Sequence, residues 1–232
     1  AAAAAPAGVV AMDAMQKAVS NNMVKAMSAP VFLVSRSINT MAFDDLYKQL
    51  KPKGVTVSAM LGKAVAMALE KHPLVNAAFS DAGGGSIDYK ADIDVAMAVA
   101  VDGGLLTPVL RKANEKDLFS LSREWKDLVG KAKGKKLTPA EMSGYTFTIS
   151  NLGMMGVSSF SSILPPGTGA ILAVAASRPV VEPQSNGHLG VVTRMEVTLT
   201  ADHRHIYGAH AAQFLADLAE IIEKDPQSLT MG

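Results

Sequence analysis

Residues 191–208 read V-V-T-R-M-E-V-T-L-T-A-D-H-R-H-I-Y-G and hold the clearest structural signal in the chain. Polar and apolar side chains alternate through residues 191–201, and this period of two is typical of a long strand. A Gly turn follows at Gly208, and residues 209–224 carry the apolar spacing of a helix that ends before Pro226. The stretch therefore predicts a strand, a turn rich in His and Arg, and a helix.

Strand and helix patterns also mix through the rest of the chain. Apolar or β-branched runs predict further strands over residues 30–39, 75–79, 87–89, 93–101, 105–111, 145–150 and 170–176. Helical spacing predicts helices over residues 11–27, 42–50, 58–71 and 117–133, with Ser58 as the N-cap of the third and a short turn from Thr138. Because the two kinds of element do not alternate strictly, we expect an α/β chain of the α+β type, with helices packed on a mixed sheet.

Length and composition exclude several classes of protein. The 232 residues suit one large domain, and 22 basic against 21 acidic residues exclude a generally basic nucleic-acid coat protein. With no Cys, the chain has no disulfide framework, thiolate zinc site or Cys nucleophile. The longest apolar runs fall far short of the ~20 residues that span a bilayer, so we expect no membrane segment. Residues 1–9 begin A-A-A-A-A-P-A-G and predict the end of an Ala/Pro linker or a cloning remnant, before a core domain over residues 10–232.

His203 is a candidate general base, since it lies where a strand meets a turn and imidazole titrates near neutral pH. A surface or capping His is the competing interpretation. A metal site is a second possibility, with His203, His205 and His210 as ligands. His203 and His205 would lie on one face if the strand continues. No helical carboxylate partner and no Cys accompany them, which disfavours zinc.

Ser150 ends the strand at residues 145–150 and is a candidate nucleophile or oxyanion donor. The G-x-S-x-G elbow of hydrolases is absent from the sequence, and a Ser-Asn pair that begins a turn is the alternative.

Four lysines within residues 131–136 would suit an anionic partner such as nucleic acid. A solvated helix end is the more usual reason for such a cluster.

Four motifs in order carry a resemblance to a known family. They are D-G-G-L-L-T-P-V at 102–109, T-F-T-I-S-N-L-G at 146–153, L-P-P-G at 164–167 and A-D-H-R at 201–204. The chain resembles the catalytic cores of dihydrolipoamide acyltransferases over nearly all of residues 10–232. Within that family it is most similar to the acetyltransferases of pyruvate dehydrogenase complexes, and the D-H-R-x-x-Y-G pattern at 202–208 is similar to that of plastid forms.

The resemblance implies a two-layer sandwich like that of chloramphenicol acetyltransferase. It implies a homotrimer with active sites between subunits, built up into a cubic or icosahedral core. The partners implied are the pyruvate dehydrogenase and dihydrolipoamide dehydrogenase components, which would attach through domains before the core. Coenzyme A is the implied substrate, with a lipoyl group on a separate domain and no metal. The implied location is the plastid stroma, with the mitochondrial matrix or the bacterial cytoplasm as alternatives.

The resemblance also implies roles for individual residues. His203 matches the general base, and Ser150 matches the hydroxyl that stabilises the tetrahedral oxyanion beside coenzyme A. Asn151, Asp102 and Ser58 match positions that contact coenzyme A in relatives. Most relatives have Asp four residues after the His, where this chain has Tyr207. Since a phenol is neutral near pH 7, we interpret Tyr207 as a structural anchor within the catalytic segment.

The implied function is the transfer of an acetyl group between dihydrolipoyl and coenzyme A, without an acyl-enzyme. Two alternatives remain from the sequence: a structural core scaffold, or a core for succinyl or branched-chain acyl groups.

Overall fold

A six-stranded mixed sheet forms the centre of the molecule, in a computed structural model that describes residues 8–101, 104–184 and 187–231. The strand order is β1-β10-β9-β8-β4-β7. The bounds of these strands in chain order are β1 Val31–Asn39, β4 Val95–Met97, β7 Val109–Leu110, β8 Phe147–Asn151, β9 Ala170–Pro183 and β10 Leu189–Asp202. Strand β8 runs parallel to β4 and β9, whereas the other pairs are antiparallel, so the predicted mixed sheet is confirmed.

Two short ribbons lie outside this sheet. Strand β2 (Ala78–Ser80) pairs with β3 (Ser86–Asp88), and β5 (Val99–Val101) pairs with β6 (Gly104–Leu106). The sequence predicted one strand over residues 93–101, which is wrong. The Ala98 N–H donates to the Ile149 carbonyl, and after it the chain leaves the central sheet to form the second ribbon.

Five helices accompany the sheet in the described part of the chain. They are α1 Ala14–Ala26, α2 Met41–Leu50, α3 Val57–Lys71, α4 Leu118–Lys133 and α5 Gly208–Glu223. Helix α5 packs on the sheet through Phe214, whose ring centroid is 5.8 Å from that of Phe147. Among the described residues, no helix combines the length and apolar character needed to cross a membrane.

The two faces of the sheet differ in character. On the helix-covered face, alternation places fully buried apolar side chains such as Ile149, Leu172 and Leu199 in the core. The opposite face carries buried hydroxyls at Thr148, Thr198 and Thr200. The long alternating strand predicted from residues 191–201 is therefore confirmed, and Thr198 and Thr200 lie on the face opposite the helices.

Three sequence-based boundaries are corrected. Strand β9 continues past the predicted end at Ala176 to Pro183, because its outer half pairs only with β10 and tolerates prolines there. The N-cap of α3 is Thr56, whose side chain accepts the Ala59 N–H at 3.2 Å, so Ser58 lies inside the first turn. The strand predicted at residues 75–79 starts only at Ala78.

The N-terminal helix has the predicted spacing, and several of its apolar side chains are exposed. Met12, Val19 and Met27 lie on or beside α1 and are 53%, 42% and 77% exposed. Residues 1–7 of the predicted linker and Asp102 lie outside the described residues.

Candidate active site

The turn after β10 presents His203 at one end of the central sheet. β10 ends at Asp202, and the His203 N–H donates to the Pro30 carbonyl at 2.8 Å, just before β1. The Asp202 N–H donates to the Gly169 carbonyl at 2.9 Å. The turn is therefore attached to the elements on both sides, and the position of His203 is set by the sheet.

Aromatic rings flank the His203 imidazole. Its centroid is 4.2 Å from that of Phe32 on β1 and 5.9 Å from that of Tyr207. Tyr207 is the residue before α5, is 53% exposed, and its N–H donates to Nδ1 of His210 at 3.2 Å. Tyr207 thus lies between the His203 turn and α5, with its ring beside the imidazole.

Arg204 and Asp202 form a forked ion pair around His203. The Arg204 side chain donates from Nε at 2.9 Å and from a terminal nitrogen at 2.6 Å to the carboxylate, which is 2% exposed. Burial raises the pKa of Asp202, but the hydrogen bonds and charge of Arg204 outweigh it, so the pKa lies below its ordinary value. Asp202 is therefore an ionised structural partner of Arg204.

His205 is buried, and its ring contacts the Ala77 carbonyl. Its Nε2 lies 3.3 Å from the Ala77 carbonyl, and Nδ1 has no hydrogen-bond partner among the described residues. Burial lowers the pKa of His205 below 6.5, which favours the neutral ring that donates to Ala77. The condition under which His203 and His205 would share a strand face is not met, because the strand ends at Asp202. No group of three possible metal ligands occurs among the described residues.

Gly169 makes the close approach beneath His205 possible. A Cβ on Gly169 would lie 2.1 Å from the Ala77 carbonyl oxygen and 3.0 Å from His205 Nε2. Only a glycine therefore fits where the start of β9 meets the segment before β2.

Ser150 lies inside the sheet, several residue positions from the end that carries His203. The register aligns Ser150 with Ala173 on β9 and with Thr198 on β10. His203 follows Thr198 by five residues, which corresponds to roughly 17 Å along a strand. A base and an oxyanion donor that serve one reacting carbonyl must both lie about 3 Å from its atoms, so a single chain does not bring this pair together.

Asn151 borders a cavity of about 270 Å³ between the sheet and the start of α3. Its Oδ1 accepts the Gly153 N–H at 2.8 Å. Val57 and Leu61 of α3 line the same cavity, and Ser58 lies in the first turn beside them. Of the three residues for which the resemblance implies contacts with coenzyme A, Asn151 lines this cavity and Ser58 follows a lining residue, Val57.

The catalytic-domain model of the 2-oxoacid dehydrogenase acyltransferases matches residues 5–231. The chain belongs to this family. A relative in this acyltransferase family is component 5 of the chloroplastic pyruvate dehydrogenase complex of Arabidopsis thaliana, a dihydrolipoyllysine-residue acetyltransferase. It is 55% identical over 222 residues, covering 96% of this chain and 47% of the relative. The chain spans about half the length of the curated relatives it matches.

Solved structures place this acyltransferase domain in the same fold. The dihydrolipoamide acetyltransferase of Azotobacter vinelandii, studied for the catalytic roles of a Ser, a His and an Asn, matches with a TM-score of 0.88 at 27% identity, covering 97% of this chain and 94% of that chain. The cubic core of a pyruvate dehydrogenase multienzyme complex matches with a TM-score of 0.88 at 28% identity, covering 98% and 96%. Chloramphenicol acetyltransferase matches at 0.60 with 14% identity, covering 88% and 94%, and confirms the expected fold.

Sequence reasoning missed two aromatic residues of the site, Phe32 and Phe79. The Phe79 ring centroid lies 3.9 Å from the guanidinium carbon of Arg204. Both appear in the sequence only as apolar residues of ordinary strands, and no local pattern links them to the turn at 202–206.

The cluster of four lysines at residues 131–136 is partly explained by ion pairs within the chain, since Lys131 pairs with Asp127 and Glu141.

Proposed function

We propose that this domain transfers an acetyl group between a dihydrolipoyl thiol and coenzyme A, with His203 as general base and Ser150 as oxyanion donor. One observation carries the assignment. In the Azotobacter vinelandii acetyltransferase the three residues studied for catalysis are a Ser, a His 52 residues later and an Asn four residues after the His. Here His203 follows Ser150 by 53 residues and Tyr207 follows His203 by four, which supports these three positions as the same set.

The chemistry is an exchange of one thioester for another. A neutral thiol is a weak nucleophile, so His203 takes its proton as the sulfur attacks the acetyl carbonyl carbon. The carbonyl oxygen becomes an oxyanion, and the Ser150 hydroxyl donates a hydrogen bond to it. When the intermediate collapses, the other carbon–sulfur bond breaks and the imidazolium returns its proton to the departing thiolate. Protons and charges balance, and no acyl-enzyme forms.

Each active site requires two copies of the chain. The distance between Ser150 and His203 along one sheet supports a site in which His203 of one copy faces Ser150 of a second. A trimer is the smallest closed assembly proposed here. The relative that forms a cubic core supports further assembly, cubic or icosahedral.

Coenzyme A is assigned to the side of the site that holds Ser150. The cavity beside Asn151 and the amino end of α3 near Ser58 support this placement, and Asp102 is assigned to the same ligand by family resemblance. No part of this assignment involves a metal. The acetyl donor is a lipoyl group carried on another domain.

The wider setting follows from the named relatives. The partners proposed are the pyruvate dehydrogenase and dihydrolipoamide dehydrogenase components, and the location proposed is the plastid, since the relatives at 55% and 52% identity are chloroplastic. An assay of several acyl-coenzyme A substrates with dihydrolipoamide distinguishes the alternatives. A scaffold would transfer no acyl group, and a core of another specificity would transfer succinyl or branched-chain groups in preference to acetyl.

Complementation tests the shared site. Ser150→Ala and His203→Ala are purified separately, and each is expected to lose at least ~10²-fold in acetyl transfer. After dissociation and joint reassembly, random mixing restores both residues in about a quarter of the sites of a cyclic assembly. Activity near that fraction supports the proposal. No recovery from a mixture that has demonstrably reassembled would overturn it.

A further inference from the structure

We propose that Phe79 and Arg204 are positioning residues that hold the turn carrying His203, a role that rests on the proposed function of His203. The cation–π contact of Arg204 with Phe79 and the ion pair of Arg204 with Asp202 form a continuous chain from β2 to the end of β10. We refer to these three side chains as the Phe79 clamp.

The ion pair fixes the backbone on both sides of His203. Residue 203 lies between Asp202 and Arg204, whose side chains are joined by the fork described above. The Arg204 backbone N–H also donates to Asp202 Oδ1 at 3.0 Å, and the Ile206 N–H donates to the Asp202 carbonyl at 3.0 Å. A buried carboxylate held by this many donors has little freedom to move.

Phe79 limits the freedom of Arg204. The Arg204 side chain is 30% exposed, so a salt bridge alone would compete with water. The ring of Phe79 covers one face of the guanidinium at 3.9 Å. A planar guanidinium stacked on an aromatic face keeps its N–H donors directed at the Asp202 carboxylate. Lys has no planar donor group and replaces it poorly.

The segment before Phe79 holds the same turn at a second point. The Ala77 carbonyl meets His205 Nε2 at 3.3 Å, two residues from the Phe79 ring contact with Arg204. The short segment 77–79 therefore contacts both residues that follow His203. The segment supplies no group that touches the reacting atoms, so its effect is on the position of the His203 imidazole.

The ribbon of β2 and β3 offers a matched control. Ile87 lies opposite Phe79 in the register of the ribbon, is 41% exposed, and is apolar. Ile87→Ala removes apolar surface from the same ribbon and keeps the Phe79 ring that contacts the guanidinium. Phe79→Tyr keeps a ring over Arg204, whereas Phe79→Ala removes it.

Two readouts are measured on the assembled protein: acetyl transfer with dihydrolipoamide and acetyl-coenzyme A, and the rate at which diethyl pyrocarbonate labels His203, followed by peptide mass spectrometry. Phe79→Ala is expected to lower kcat about tenfold while KM for the coenzyme changes less than about twofold, since small misplacements of a reacting group cost rate. The labelling rate of His203 is expected to change by more than about threefold, as a looser turn alters access. Phe79→Tyr and Ile87→Ala are expected to match the wild type in both readouts.

The outcomes separate the positioning role from the proposed function. Wild-type-like kcat and labelling in an assembled Phe79→Ala protein would overturn the positioning role. Altered labelling in Phe79→Ala, with no acetyl transfer even by the wild type, would sustain the positioning role and overturn the proposed function. If Phe79→Ala does not assemble, Arg204→Lys tests the same fork, and unchanged kcat and labelling in that variant would equally overturn the role.

Discussion

His203 and Tyr207 are neighbours in space with different expected contributions. His203→Ala removes the proposed base and is expected to cost at least ~10²-fold in kcat. Tyr207→Phe removes one hydroxyl, whose net worth of ~0.5–1.5 kcal/mol limits the loss to roughly tenfold. Steady-state assays of both variants at saturating coenzyme substrate make the comparison, with melting temperature as the control for folding. A Tyr207→Phe protein as inactive as His203→Ala would show that the phenol takes part in the reaction.

His205 links stability to pH. Its pKa is lowered by burial in the folded chain and stands near 6.5 in the unfolded chain, so below that pH the unfolded state binds more protons. Stability is therefore expected to fall as pH drops from about 7.5 through 6.5 towards the folded pKa. The pKa of Asp202 lies below 3.8 in the folded chain, so its ion pair contributes fully to stability above about pH 3.8. That contribution is lost only as the pH falls through the lower pKa of the folded state.

His205→Gln is expected to flatten this dependence, because an amide can still donate to the Ala77 carbonyl but does not titrate in this range. Melting temperatures of wild type and variant at about pH 7.5 and pH 5.5 provide the measurement. Parallel curves would mean that another group causes the loss of stability.

At the scale of an element, the start of α3 distinguishes two hydroxyl residues that lie two positions apart, Thr56 and Ser58. Thr56 accepts the Ala59 N–H, and such a cap is worth about 1 kcal/mol, so Thr56→Ala is expected to lower the free energy of unfolding by that amount. Ser58→Ala lies within the helix and is expected to change it by less than about 0.5 kcal/mol. Urea denaturation of both variants gives the comparison. A larger loss in Ser58→Ala than in Thr56→Ala would restore Ser58 as the cap.

At the scale of the whole molecule, activity and assembly should disappear together. β1 is an edge strand of the sheet, and Val31 and Leu33 on it are 43% and 52% exposed in the single chain. Unpaired edges with apolar side chains are surfaces that proteins cover, which agrees with a site built from more than one copy. Mass measurements and assays over a dilution series are expected to show loss of acetyl transfer as the trimer dissociates. A fully active monomer would contradict the shared site.

The local elements and the candidate residues were predictable from the sequence, because periodicity, caps and strand-end polar residues are local signals. The period of two over residues 191–201, the helix at 117–133, and the His and Ser near two strand ends all correspond to the structure. The misplaced cap at Ser58 has the same origin, since two hydroxyl residues two positions apart satisfy the same local rule.

Relations between distant segments were decided only by the tertiary structure. Register places Ser150 level with Thr198, five residues before His203 and two strands away, and no spacing along the chain encodes that separation. Strand β9 continues through Pro179 and Pro183 because this part pairs with β10 alone and its other edge has no partner strand among the described residues. Residue propensities for strand do not reveal which edge is unpaired. Phe79 reaches Arg204 across more than a hundred residues of sequence, since a stacked ring and a guanidinium recognise each other through space and not through a pattern in the chain.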